Sequence, residues 1–373
     1  MNARIVGLGT AVPHFSIEQD QSVAFAHSLL YKPGREARTL PVLYRMTSVQ
    51  RRGSILLSVN GDGAGNGNGK ADVIEQDFYP DADHSDQRGP STKCRSDRYS
   101  VEAMPLAKRA CREALADAAM AAESITHLVV VTCTGFYAPG IDVELIEELG
   151  LNRETERVQV GFMGCHGAIN GLRVARGLIA ADPAARVLMV CIELCSLHYQ
   201  YGWDTDRVVS NAIFADGSAA VVLCASDQTD QPELVATGSR LVQDSKDAMT
   251  WRIGDHGFEM TLSAEVPGLI EAKLHRFITD WLAKHGLRIE DVGGWDVHPG
   301  GPRILLAVEN ALCLPKEALT HSRNVLADHG NMSSATMLFI MRRFMDQSVP
   351  GPWVMLGFGP GLEIEVALVQ CQK

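Results

Sequence analysis

Short, almost continuous apolar runs alternate with helix-patterned stretches along most of the chain, and this alternation restricts the fold more than any other feature. The runs at 5–8, 128–133, 158–162, 187–193, 219–223, 234–237, 295–298, 353–358 and 362–369 read as strands. Runs that are apolar at successive positions, rather than at every second one, belong to sheets covered on both faces. Between them, apolar residues recur at spacings of three and four over 101–122, 167–181, 266–284, 302–312 and 333–346, which predicts helices. This order predicts a layered α/β fold. A polar stretch at 227–232 divides the chain into a first half, 1–226, and a second, 231–373. Residues 58–100 read as an irregular insertion. Its Gly/Asn tract NGDGAGNGNG at 60–69 is expected to be a mobile surface loop whose deletion spares activity.

Composition removes several classes of function. The chain has 34 basic and 45 acidic residues, a net charge of −11, so nothing marks it as a nucleic-acid binder. No run of about 18 apolar residues occurs, so no membrane span is expected. The N-terminus leads straight into a strand-like segment without the apolar core of a signal peptide, which predicts a cytoplasmic protein. The nine cysteines are odd in number and scattered, as expected of reduced thiols. Cys191, Cys195 and His198 come closest to a metal pattern but lack a second ligand pair at fixed spacing, so no metal site is expected. The GLGTAV segment at 7–12 lacks the third glycine of a dinucleotide fingerprint.

Three segments place a reactive side chain at a turn beside a strand or helix end. In VGFMGCHGAING (160–171), Cys165 follows a strand and opens a helix, where unpaired N–H groups and the helix dipole favour a thiolate. In WDVHPGGP (295–302), His298 ends a strand at a turn made rigid by prolines and glycines. In DHGNMSSA (328–335), Asn331 stands at a helix start. Singly, these read as a core cysteine, a hydrogen-bonded histidine and an N-cap. Together they form the set needed to activate a thiol and bind an oxyanion.

With NAIFADGS (211–218), VPG (266–268), HPGGP (298–302), GNMSSA (330–335) and GFGPG (357–361) in this order, the sequence resembles the type III polyketide synthases of the chalcone synthase family. The resemblance runs from about residue 160 to the end and includes the start of the chain, and it is poorest over 58–100. It implies a homodimeric thiolase-type fold of five layers, α-β-α-β-α, built from two similar halves in which Cys165 and Asn331 occupy equivalent turns. It also implies acyl-CoA and malonyl-CoA as substrates, with no organic or metal cofactor. Cys165 is then the nucleophile, while His298 and Asn331 stabilise the thiolate, the enolate and the tetrahedral intermediate. Phe214 matches a phenylalanine at the cavity mouth. Met260 replaces a second gatekeeper phenylalanine, Trp251 a glycine, and Cys133, Cys195, His198 and Ala138 stand at other cavity positions. Thr134, Ser333, Gly359 and Pro360 complete the expected cavity, and Arg45, Arg51 and Arg52 are the expected CoA-phosphate contacts. The resemblance further implies that the loop with Ala138 and Pro139 crosses to the partner subunit with a cis bond. The competing readings are a ketoacyl-acyl-carrier-protein synthase III-like enzyme, a catalytically silent acyl-CoA-binding homologue and a thiol hydrolase.

Overall fold

Nine strands hydrogen-bond into one mixed sheet in a computed structural model that describes residues 2–32, 34–60 and 73–371. From one edge to the other the order is β13-β14-β15-β10-β1-β9-β8-β6-β7. These strands are β1 (Asn2–Ala11), β6 (His127–Thr132), β7 (Glu156–Gly161), β8 (Arg186–Leu194), β9 (Asp216–Ser226), β10 (Glu233–Leu241), β13 (Gly294–Val297), β14 (Trp353–Gly359) and β15 (Glu363–Gln370). Three hairpin-like pairs lie outside it: β2 (Ser16–Glu18) with β3 (Arg51–Gly53), β4 (Leu57–Asn60) with β5 (Val73–Gln76), and β11 (Met249–Gly254) with β12 (Gly257–Leu262). The helices are α1 (Gln19–Ser28), α2 (Leu40–Met46), α3 (Thr92–Asp117), α4 (Ile141–Leu149), α5 (Gly167–Ala181), α6 (Thr205–Ile213), α7 (Val266–Ala283), α8 (Pro302–Leu312), α9 (Thr320–His329) and α10 (Ala335–Asp346).

The strand order contains a repeat. In the first half β6 and β8 are parallel, β8 and β9 antiparallel, and β9 and β1 antiparallel. In the second, β13 and β14 are parallel, β14 and β15 antiparallel, and β15 and β10 antiparallel. The two runs β6-β8-β9-β1 and β13-β14-β15-β10 therefore share one topology, joined where Arg4 of β1 faces Glu233 of β10. Helix α5 precedes β8 as α10 precedes β14, so the turns before these two helices are equivalent.

Alternation along the strands sorts the helices into layers. Leu128 and Val130 of β6 pack with Ala107 and Ala110 of α3, whereas Val129 and Val131 pack with Leu172 of α5 and Leu338 of α10. Met355 of β14 joins the same middle layer, while Val354 and Leu356 turn to Ile270 of α7 and Val308 of α8. Outer helix, half-sheet, α5 with α10, half-sheet and outer helices make the five layers of the thiolase-type fold. Covering both faces explains the uninterrupted apolar runs.

The structure corrects the irregular stretch at 58–100. Its start is paired in β4 and β5, and α3 begins at Thr92, where the Ser91 hydroxyl accepts from the Cys94 N–H at 3.3 Å. The first turns of α3 are polar, so an apolar period does not show them. The Gly/Asn tract falls, from residue 61 on, outside the described residues.

One buried group opposes the fold. Both carboxylate oxygens of Asp296, on β13, are buried without a hydrogen-bond partner among the described residues, and burial holds its carboxyl well above the usual range. Below about pH 3.9, the ordinary carboxyl value, the folded and unfolded chains are both protonated there and nothing is lost. Above it the unfolded chain releases a proton that the folded chain keeps, so stability falls as pH rises toward the folded value. Asp296→Val is expected to stabilise the chain by about 1–3 kcal/mol. Thermal melts should show a larger gain at pH 8 than at pH 5, and a loss at both would contradict this reading.

Candidate active site

Cys165 sits in the turn between β7 and α5, buried, two residues before the helix begins. The turn is built on Gly164, whose φ is +83° and whose Cβ, if present, would lie 2.4 Å from Pro360 Cδ. A Cβ on Gly359 would stand 2.2 Å from the His166 ring. Only glycines let the GFGPG segment close over this turn. His166 is fixed from behind, its Nδ1 lying 2.7 Å from Asn170 Oδ1. Burial pushes the Cys165 thiol up to about 12, and hydrogen bonds from the Ser333 and Asn331 side chains pull the other way. The expected thiolate at a helix start is therefore outweighed by desolvation.

Asn331 arrives from the equivalent turn of the second half. Its N–H donates to Ile213 O at 2.8 Å and its carbonyl accepts from the Ala215 N–H at 2.9 Å. That bridge sets it beside Phe214. Its Oδ1 accepts from the Ser333 N–H at 2.8 Å, which leaves the amide NH2 for the sulfur. His298 follows β13, buried, with its N–H donating to Leu356 O at 2.9 Å. Both of its ring nitrogens are buried and have no hydrogen-bond partner among the described residues. Burial, with the neighbouring His166 as a second cause, lowers its pKa to about 3. Burial thus drives both the Cys165 thiol and the His298 imidazole toward their neutral forms.

A cavity of about 640 Å³, counting its open mouth, leads to Cys165. Of the expected residues, Cys133, Thr134, Cys195, His198, Phe214, Trp251, Met260, Ser333 and Pro360 line it. Trp251 and Met260 are a cross-strand pair on the β11–β12 hairpin, which forms one wall. Trp251 Nε1–H donates to Cys133 O at 2.8 Å. His198 is wedged in this wall, stacked on Phe258 with centroids 4.2 Å apart. Its Nε2 donates to Thr134 O at 2.7 Å and its Nδ1 accepts from the Phe258 N–H at 3.1 Å. Both nitrogens are occupied, so His198 shapes the cavity and exchanges no protons there.

Some expected residues fall elsewhere. Ala138 is exposed on this chain, away from its own cavity, and the Ala138–Pro139 bond is cis. Gly359 backs the His166 ring without lining the cavity. Arg45 and Arg51 are exposed on the surface and line no part of the cavity. Arg52 is buried at 2% exposure, donating to the carbonyls of Asn211 and Phe214 between the rings of Tyr44 and Tyr199. It braces the mouth and cannot also be a free phosphate contact. Among the described residues, no group of three His, Cys, Asp or Glu is arranged to hold a metal ion.

Sequence reasoning missed Glu193. Its fully buried carboxylate accepts from the Cys133 N–H at 3.0 Å, the Thr134 hydroxyl at 2.9 Å and the Ser334 hydroxyl, tying β8 to the starts of two neighbouring segments. Burial raises it to about 7 against those three donors. Its only sequence signal is a carboxylate inside an apolar run, at the end of 187–193.

The layered fold is that of thiolase-type acyltransferases. The family models for chalcone and stilbene synthases match in both parts, the N-terminal domain over 77–227 and the C-terminal domain over 233–372. The chain is 32% identical over 373 residues to the alpha-pyrone synthesis polyketide synthase-like Pks18 of Mycobacterium tuberculosis, covering 97% of this chain and 90% of that one. It is 30% identical over 378 residues to the 3,5-dihydroxyphenylacetyl-CoA synthase of Streptomyces toyocaensis, covering 98% and 90%. The crystal structure of PKS-I from the brown alga Ectocarpus siliculosus superimposes with a TM-score of 0.88 at 32% identity, over 100% of this chain and 98% of that one. The chain belongs to the chalcone and stilbene synthase family and is a type III polyketide synthase. Among the described residues, no helix is long and apolar enough to cross a membrane.

Proposed function

We propose that the chain extends a CoA-linked starter, held as a thioester on Cys165, with malonyl-CoA units and cyclises the product to a pyrone or phenol. The observation that carries this reading is Cys165 at the cavity it shares with Ser333, its sulfur facing the side chains of Ser333 and Asn331, with His298 buried just after β13 and without a hydrogen-bond partner among the described residues. The Cys165 proton passes to His298 as sulfur attacks the starter carbonyl, and leaves with the CoA thiol. Malonyl-CoA then loses CO2, and the enolate oxygen is held by N–H groups of Asn331 and of the neutral His298 ring. The enolate carbon attacks the Cys165 thioester, the sulfur departs, and the chain is two carbons longer. No step asks for a metal or organic cofactor.

The protein acts in this reading as a cytoplasmic homodimer, with exposed Ala138 completing the partner's cavity. Starter choice is set by the hairpin wall. Met260→Phe replaces a flexible thioether with a rigid ring and is expected to favour shorter starters. Trp251→Gly opens the wall and is expected to allow longer products. The measurement is product mass from purified protein given 13C-labelled malonyl-CoA and a panel of aromatic and fatty acyl-CoAs. Products carrying the starter plus several labelled two-carbon units support the function. Release of a singly extended chain would favour the ketoacyl synthase alternative, and an unchanged profile in both variants would remove the wall from starter selection.

A further inference from the structure

Each extension consumes a proton that the substrates do not carry. The malonyl carboxylate leaves as CO2, the enolate carbon displaces the Cys165 sulfur, and the extended thioester is neutral where the malonyl group was anionic. Cys165 is left as a thiolate, and a proton from outside the site must restore the thiol. Loading is different, because the proton that leaves Cys165 departs with the CoA thiol. His298, assigned to exchange protons with Cys165, is 2% exposed and has little access to solvent of its own.

A second buried histidine, His166, adjoins it. The two meet at the end of β14. The His298 N–H donates to Leu356 O at 2.9 Å, and a Cβ on the next residue, Gly357, would lie 2.8 Å from His166 Cβ. His166 is not part of the cavity lining. Its tautomer follows from its partner. The Asn170 amide N–H donates to Glu365 Oε1 at 3.0 Å, so Asn170 Oδ1 is the atom that accepts from the His166 Nδ1–H. His166 Nε2 then carries the lone pair, buried and without a hydrogen-bond partner among the described residues. Glu363 Oε2 lies 3.7 Å from it, on a side chain that is 27% exposed. The other Glu363 oxygen accepts from the Ser239 hydroxyl at 2.7 Å. Burial lowers the His166 pKa, while the bond to Asn170 and the charges of Glu365 and Glu363 pull it back up. A histidine kept for packing alone gains nothing from a buried lone pair beside a carboxylate that reaches the surface.

Resting on the acyl-thioester chemistry proposed for Cys165, we infer that Glu363 and His166 form the route by which each extension's proton enters the site. The proton passes from the Glu363 carboxyl to His166 Nε2, from there to a ring nitrogen of His298, and from His298 to the Cys165 thiolate. Water then reprotonates Glu363. Only O–H, N–H and S–H bonds change, and no oxidant or reductant takes part. Both residues act through His298 and not on the substrate. The titratable and charged groups around His166 are Cys165 of its own turn, His298 after β13, Glu363 and Glu365 of β15, and Arg173 of α5, which is paired with Glu365. Gly357, Gly359 and Pro360 pack against this turn and add no charge, nor does Met337 of α10 behind Gly357.

The test compares loading with extension in the full chain, because only extension takes up a proton. Intact mass after hexanoyl-CoA, without malonyl-CoA, reads loading over time. Malonyl-CoA added to the preloaded chain, with quenching and product mass, reads extension. His166→Gln keeps a side-chain amide in the turn but has no titrating nitrogen. It is expected to slow extension at least about tenfold while loading stays within about twofold. Glu363→Gln leaves the Cys165 turn intact and is expected to slow extension by about threefold, again with loading retained. In both variants the proton must come directly from water, so the deficit against the unaltered chain should widen from about pH 6 to about pH 8. Loading also reports that each variant is folded. Equal loss of loading and extension, or a deficit that is the same at both pH values, would make His166 a packing residue and overturn the inference. Extension unchanged in Glu363→Gln would overturn the route through that carboxylate. Failure of hexanoyl-CoA to load the unaltered chain would instead refute the Cys165 reading on which the inference rests.

Discussion

Cys165→Ala is expected to abolish polyketide formation while CO2 release from malonyl-CoA remains measurable. Decarboxylation requires stabilisation of the enolate oxygen, and the groups assigned to that task, His298 and Asn331, are untouched. Cys165 itself contributes only the place where the chain is held. Asn331→Ala should show the complementary pattern. Its amide NH2 is lost, so decarboxylation should fall by roughly 10²–10³, the usual effect of removing one oxyanion donor. Starter acylation of Cys165 should persist in that variant, which also reports that the site is folded. CO2 release and acyl-enzyme mass on both variants make the comparison. Full polyketide synthesis by Cys165→Ala would remove the cysteine from the mechanism.

His298→Gln should change how Cys165 reacts with pH. In the proposed mechanism the imidazole accepts the thiol proton, so the thiol ionises as one member of a charged pair. Without it, burial, opposed by the Ser333 and Asn331 side chains, governs a thiol already pushed up to about 12. Iodoacetamide alkylation at pH 7 should drop at least about tenfold relative to the unaltered chain. In the variant, the rate should climb by about tenfold per pH unit toward alkaline pH, following the thiolate fraction. The unaltered chain should level off earlier. Superimposable profiles would mean that His298 does not share the Cys165 proton.

The sequence displayed most clearly what local chemistry decides. Helices α5 and α8 run over 167–181 and 302–312 as their apolar spacing predicts. The main strands are legible because both faces are covered. The polar start of α3 and the short helices α2 and α6 were not legible. Their boundaries depend on a cap at Ser91, a Pro near the start of α2 and packing between α2 and α6. The β11–β12 hairpin was also missed, although its residues Trp251 and Met260 were expected in the cavity. A resemblance can place a residue without revealing the element that carries it.

The same division holds at the site. Cys165, His298 and Asn331 stood out because each sits in a glycine-rich or proline-rich segment. Glu193 did not, because its three donors come from residues about 60 to 140 positions away and only the fold assembles them. Arg52 looked like its neighbour Arg51, yet one is buried against backbone carbonyls and the other is exposed. Alternation along β3 puts adjacent side chains on opposite faces, and a basic pair in sequence does not say which one turns inward.

Three thiols share the cavity, those of Cys133, Cys165 and Cys195, and the account assigns the acyl group to one of them. Cys133 is occupied structurally, its sulfur accepting from the Gly164 N–H at 3.0 Å. Burial pushes the Cys133 and Cys195 thiols well above the usual range, and the negative charge of Glu193 raises both further. Only Cys165 has the side chains of Ser333 and Asn331 as donors to its sulfur. Peptide mapping after incubation with a fatty acyl-CoA, without malonyl-CoA, therefore tests the mechanism most directly. One acyl group on the peptide containing Cys165 is the predicted result, and an acyl group on Cys133 or Cys195 with Cys165 free would contradict it.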